Sequence, residues 1–157
     1  MGDRPEITVQ PGYLLYKAGV LSQQAFDDAL DAVDLTPRQF LVLAFIDADP
    51  LSQQDLARRM GLDPTLIGQI VDELEERDLA RRDRDPADRR RYVLGLTATG
   101  RRRLGKATSL AREAEADLLG PLSAAERRAL GDLVLRVVTP RLAWLQDHDE
   151  PEPSRGG

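Results

Sequence analysis

Residues 82–97 read RDRDPADRRRYVLGLT. Five arginines stand in this stretch, three of them consecutive. Yet the 157-residue chain as a whole is acidic, with 22 Lys+Arg against 27 Asp+Glu and a net charge of −5. The stretch also carries a period-two pattern. Tyr92, Leu94 and Leu96 alternate with Arg91, Val93 and Gly95, which predicts a half-buried strand over Arg90–Thr97. Asp85-Pro86-Ala87-Asp88 supplies turn chemistry, and Ala80–Arg84 reads as the extended partner. The expectation is a β-hairpin with arginines near its tip. Positive charge gathers around it: residues 77–103 hold ten arginines and four aspartates, a net +6, leaving −11 on the other 130 residues. Such asymmetry suits a patch that faces a polyanion, although a solvated charge run has the same composition.

The preceding residues 51–80 are LSQQDLARRMGLDPTLIGQIVDELEERDLA. Ser52 can cap a short helix over Gln53–Met60, which Gly61 ends in the left-handed conformation that glycine tolerates. Asp63 can cap the next helix, with Pro64 at its first position and Ile67, Ile70, Val71 and Leu74 as its apolar stripe. Two helices joined by a tight glycine turn make a helix-turn-helix candidate, though an ordinary helical hairpin has the same pattern. A β-hairpin directly after it turns the candidate into a winged helix.

The flanks read as helices. Apolar positions recur at helical spacing from Gly12 to Val33. Thr36-Pro37-Arg38-Gln39 has the form of a capping box ahead of the core run FLVLAFI, Phe40–Ile46. Thr97 or Thr99 can cap a long helix to about Leu119, and Ser123-Ala124-Ala125-Glu126 is a second capping box. The last helix carries Leu130, Leu133, Val134, Val137 and Val138, with a kink expected at Pro140 before Leu142, Trp144 and Leu145. The fold class expected is mostly α with a small β-hairpin wing: a winged helix-turn-helix at about 35–97 and terminal helices at about 12–33 and 98–146. Residues 1–11 read as an irregular arm, and 147–157 as a polar, disordered tail.

Composition bounds the chemistry. With no cysteine, disulfides, thiolate metal sites, thiol oxidant sensing and cysteine nucleophiles are excluded. One histidine, His148, makes a zinc sensor improbable on ligand count. No nucleophile–base pair, phosphate-binding glycine loop or metal cluster stands out, so neither an enzyme nor a cofactor is expected. The longest apolar run is far short of the ~20 residues of a membrane span, and no leader pattern opens the chain, so a cytoplasmic protein is expected.

The block DPADRRRYVLGLTATG at 85–100 resembles the wing signature of the MarR family of bacterial transcriptional regulators, Asp-x-Arg-Arg and then a strand ending in Leu-Thr and a Gly. LTPRQFLVLAFI at 35–46 and VDELEERDLARR at 71–82 also resemble family patterns, in the family's order, and the resemblance covers about residues 12–146. It implies a homodimeric winged-helix protein that binds double-stranded DNA, often a repressor released by a small ligand. A pseudo-palindromic site follows from the two-fold symmetry. The alternative kept open is a winged helix that binds DNA without sequence preference, or whose basic wing meets another protein, with no ligand sensing.

On this reading the helix from Pro64 enters the major groove, where each base pair presents a distinct pattern. Its exposed early positions are Pro64, Thr65, Gly68 and Gln69. Gly68 costs ~1 kcal/mol relative to Ala in a helix, which close approach to DNA or tight packing on the preceding helix would explain. Ser52, Gln53, Gln54 and Arg77 are candidate phosphate contacts. Arg89 or Arg90 is suited to the narrow minor groove; the resemblance implies that Arg90 is the inserted residue and that Asp88 steadies it by an ion pair. It also implies an effector pocket between the winged helix and the terminal helices. Tyr13, Tyr16, Lys17, Arg38 and Phe45 are the candidates there, a mix suited to a small aromatic or anionic molecule.

Overall fold

A computed structural model describes residues 5–85 and 88–141. A short 3-10 turn, Glu6–Val9, leads into α1 (Pro11–Asp31), followed by α2 (Pro37–Ala48), α3 (Gln53–Met60) and α4 (Pro64–Glu76). The strands β1 (Ala80–Arg84) and β2 (Tyr92–Leu96) come next, then α5 (Ala98–Leu118), α6 (Ala124–Val138) and a 3-10 turn at Thr139–Arg141. This is the expected class, mostly helical with one two-stranded hairpin. No helix among the described residues is long and apolar enough to cross a membrane.

Local chemistry sets the boundaries. Thr36 and Gln39 close a capping box on α2, as do Ser123 and Glu126 on α6. The Ser52 hydroxyl accepts the Asp55 N–H at the start of α3, and Gly61 ends that helix at φ 63°. Asp63 accepts the Thr65 N–H at the start of α4. Thr97, rather than Thr99, caps α5 by accepting the Gly100 N–H. The second strand is shorter than expected, because Arg90 and Arg91 belong to the turn. Helix α6 stops at Val138 and the chain tightens through Pro140; Leu142, Trp144, Leu145 and the expected tail lie outside the described residues.

The hairpin is antiparallel, with Ala80 opposite Leu96 and Arg84 opposite Tyr92. Leu51 adds an isolated bridge to Leu94, whose N–H donates to the Leu51 carbonyl at 2.8 Å. The wing is thereby sewn to the start of the helix-turn-helix. Leu30, Leu35, Val42, Leu43, Leu56, Ile67, Val71, Leu74, Leu79, Leu94 and Leu96 form one buried core. Ala107 and Leu104 of α5 join it, so the long helix is anchored on the winged domain at its N-terminal end. Gly100 makes that anchoring possible: a Cβ there would lie 1.8 Å from the Leu79 carbonyl oxygen.

Candidate nucleic-acid interface

Helix α4 turns Ile67, Ile70, Val71 and Leu74 into the core and leaves Pro64, Thr65 and Gln69 exposed. At its N-terminus the Asp63 carboxyl is held below the usual carboxylate range, first by the Thr65 backbone N–H and then by the Thr65 side chain. Gly68 faces the preceding helix: a Cβ there would stand 2.9 Å from Gln53 Nε2. Of the two explanations for this glycine, packing on α3 is the one observed.

Most of the arginines prove to be engaged within the chain. Arg77, expected at a phosphate, instead donates to the Asp34 carboxylate at 2.7 Å, to the Asp34 carbonyl, and to Gln39 Oε1 at 3.2 Å. Arg82 pairs with Asp72 at 2.8 Å and with Glu75, and donates to Gln53 Oε1 at 3.2 Å. Arg81 pairs with Asp83, and Arg91 reaches Asp55 on α3 at 3.3 Å. Arg101 lies 3.6 Å from Asp47, and Arg103 donates to the Val33 carbonyl. These last two answer the placement of cations at a helix N-terminus, where the dipole alone disfavours them.

The wing is braced up to its tip. Arg84 stacks over Tyr92, 4.2 Å from the ring centroid, and donates to the Arg89 carbonyl at 2.9 Å. Tyr92 therefore lies exposed on the hairpin, beneath an arginine, rather than in the core with Leu94 and Leu96. Asp88 accepts the Arg90 backbone N–H at 3.0 Å, and its carbonyl accepts from Arg91 at 2.9 Å. This backbone bond stands where an ion pair with the Arg90 guanidinium was expected. Arg89 and Arg90 are exposed, and among the described residues neither side chain has an ion pair. The arginines of residues 82–97 thus divide: Arg82, Arg84 and Arg91 hold the wing in place, and Arg89 and Arg90 are presented at its end.

The other expected contacts separate in the same way. The Ser52 hydroxyl is engaged by Asp55, donating to its carboxylate at 2.6 Å. Gln53 donates to the Pro64 carbonyl at 3.3 Å. Gln54 is exposed.

The effector candidates do not gather in one place. Lys17 Nζ lies 5.7 Å from both the Tyr13 and Tyr16 ring centroids on α1, Arg38 is exposed, and Phe45 packs against the core. None of the five lines the main cavity, a cleft of 560 Å³ between α1, α2, α5 and α6. Its walls are mostly apolar, with Phe26 and Phe40 meeting edge to face at 5.4 Å, and with Arg112 and Glu115 of α5 as its charged members. These residues are scattered over four helices, and the apolar patterns of α1, α2 and α6 held some of them without showing that they meet.

The capped pair α3 and α4 followed by a braced basic hairpin makes a winged helix-turn-helix regulator, here carried between long terminal helices. The MarR family model matches residues 33–91. The transcriptional repressor NicR of Pseudomonas putida is 33% identical over 139 residues, 85% of each chain. The solved repressor CouR bound to a 23-mer DNA duplex is 33% identical, with a TM-score of 0.75 over 88% of this chain and 99% of that one. CouR of Rhodococcus jostii bound to p-coumaroyl-CoA is 30% identical, with a TM-score of 0.73 over 88% and 97%. The chain belongs to the MarR family.

Proposed function

We propose that this protein is a cytoplasmic homodimeric repressor that binds a pseudo-palindromic DNA site and is released by a small aromatic or anionic effector. The carrying observation is the division among the arginines, which leaves Arg89 and Arg90 without an ion pair among the described residues, on a wing whose stem is fixed. Gln54, Pro64, Thr65, Gln69, Arg89 and Arg90 form the contact set. Ser52, Gln53, Gly68, Arg77 and Asp88 shape it from behind. Gln69 reads a base edge in the major groove, and Arg90 enters the minor groove, where the potential is most negative. Similarity to a repressor solved on a DNA duplex supports this reading.

The dimer follows from surface. Leu133, Leu135 and Val137 of α6 are 58, 50 and 49% exposed, and Leu14, Leu15, Val20 and Leu21 of α1 are exposed as well. A second copy would cover them. The effector would occupy the 560 Å³ cleft, its ring against Phe26 and Phe40 and its anion at Arg112, which has no ion pair among the described residues. That volume lies within the usual range for ligand sites, about 300–1,000 Å³. No catalytic role is assigned.

Selection from random DNA with the purified protein tests the reading. A two-fold symmetric consensus with half-sites about one helical turn, ~10 bp, apart is expected. Enrichment of no consensus, with equal binding to every duplex, would leave the protein a non-specific DNA binder. Calorimetry with a panel of aromatic carboxylates, and with Arg112→Ala, tests the pocket. Binding unaffected by Arg112→Ala would move the anion elsewhere.

A further inference from the structure

Three elements of the interface meet at one polar junction. Arg82 leaves β1 and pairs with both Asp72 and Glu75 of α4, the first at 2.8 Å, while donating to Gln53 Oε1 of α3 at 3.2 Å. Gln53 turns its amide nitrogen to the carbonyl of Pro64, the first residue of α4, at 3.3 Å. The surface of α4 facing Gln53 is Gly68, and a Cβ there would stand 2.9 Å from the Gln53 amide. Arg82 is 29% exposed on its side chain, and its guanidinium is already shared among two carboxylates and an amide. It is poorly placed to serve as a phosphate contact.

The rest of α4 is held by an apolar stripe, Ile67, Ile70, Val71 and Leu74. Burial of such a stripe is strong but non-directional, so it leaves the roll of the helix about its axis loosely specified. Hydrogen bonds and forked arginine pairs are directional, and they specify it. We infer that Arg82, acting through Asp72, Glu75 and Gln53, is a positioning residue for DNA sequence selection: it sets the roll of α4 relative to the wing. Gln69 and Thr65 then meet base edges at the same moment as Arg90 meets the minor groove. Without the junction the helix stays buried and the charges stay in place, while the base contacts fall out of register.

This inference rests on the proposed site-specific DNA binding. The test is a charge-neutral double variant, Arg82→Met with Glu75→Met, compared with wild type on the selected duplex and on random duplex across a salt series. The ratio of selected to random affinity should fall about tenfold or more, the cost of losing a good base contact. Affinity for random duplex and its salt slope should stay within about twofold of wild type, because the phosphate contacts remain. Arg82→Lys keeps the charge but not the fork, and should give an intermediate ratio. An unchanged ratio in the double variant would overturn the inference, and so would an equal loss on both DNAs with a flatter slope, which would make Arg82 a phosphate contact. If the double variant does not unfold cooperatively, Arg82→Lys decides alone, and a wild-type ratio there overturns the proposal. If wild type itself prefers no sequence, site-specific binding fails and the inference falls with it. Preference in wild type retained in the variants sinks the inference alone.

Discussion

Helix α4 buries four side chains within its own chain, whereas α6, two residues longer, buries none. Both carry an apolar stripe at helical spacing. The difference lies in what surrounds them: α2, α3 and β1 pack around α4, while Leu133, Leu135 and Val137 of α6 face outward. Charge divides along a similar line within the wing. Arg82 and Arg91 are bound to carboxylates of α3 and α4, and Arg89 and Arg90 are bound to none among the described residues. In one short chain, residues of the same type are structural where they are answered and available for a partner where they are not.

The largest expected effect lies in the self-contained half. Gly100→Ala places a Cβ against the Leu79 backbone carbonyl, which cannot swing aside. A loss of about 3 kcal/mol is expected, lowering the thermal midpoint by about 6–12 °C. Gly105 sits in the same helix with open space where its Cβ would be, so Gly105→Ala should instead stabilise by about 0.5–1 kcal/mol. Melting curves that place both variants together would break the contrast.

The exposed half should respond through assembly. Leu133→Glu with Val137→Glu is expected to remove about 2 kcal/mol of interface burial per side chain. Light scattering at low micromolar concentration should then find the 17.4 kDa species where wild type gives twice that mass. The winged helix should keep its unfolding cooperativity, because none of its core is touched. A wild-type protein of 17.4 kDa would remove the partner from this account altogether.

Smaller effects distinguish Arg90 at the wing tip from Gln69 on α4. Arg90→Ala should weaken binding to selected and random duplex alike, and should flatten the salt dependence by about one contact per subunit. Gln69→Ala should keep the slope and lose ~1–3 kcal/mol on the selected duplex only. Fluorescence anisotropy over a salt series reads both. Wild-type affinity and slope for Arg90→Ala would return the tip to an ordinary solvated turn. No change for Gln69→Ala would shift base readout to Thr65 or to DNA shape.

What could be read in the sequence was local. Ser52 and Gly61 bracket α3, Asp63 and Pro64 open α4, and those boundaries fall where the signals put them. The capping boxes at Thr36 and Ser123 are equally short-range. The pairing of charges is not local. Arg77 finds Asp34 across 43 positions, and Arg103 finds the Val33 carbonyl across 70, so a count of arginines could not say which were free. Gly100 fitted a signature, but its physical reason, the Leu79 carbonyl, appears only when α5 meets the residue just ahead of β1. The cleft was out of reach for the same cause, being assembled from four helices.

The smallest prediction tests whether an answered arginine can be made available. The Asp55 carboxyl is held below the ordinary aspartate value, first by the Ser52 hydroxyl, which burial opposes, and then by the positive charges of Arg58 and Arg91. A carboxyl with a depressed value in the folded state contributes stability that is present above the unfolded-state value, near pH 4, and is lost as pH falls through the folded one. Asp55→Asn should therefore cost at most about 1 kcal/mol at pH 7, since the ion pairs are largely exposed, and the difference from wild type should shrink towards zero in denaturant melts near pH 3. The same change leaves Arg91 without its carboxylate and adds one positive charge beside the wing. If proximity to DNA is what makes Arg89 and Arg90 functional, the released Arg91 should join them. Affinity for random duplex should then rise slightly, with a salt slope steeper by up to about one contact per subunit. An unchanged slope would mean that Arg91 stands too far back on the hairpin to reach a phosphate. The boundary between bracing and binding arginines would then be set by position along the wing, and pairing would only reflect it.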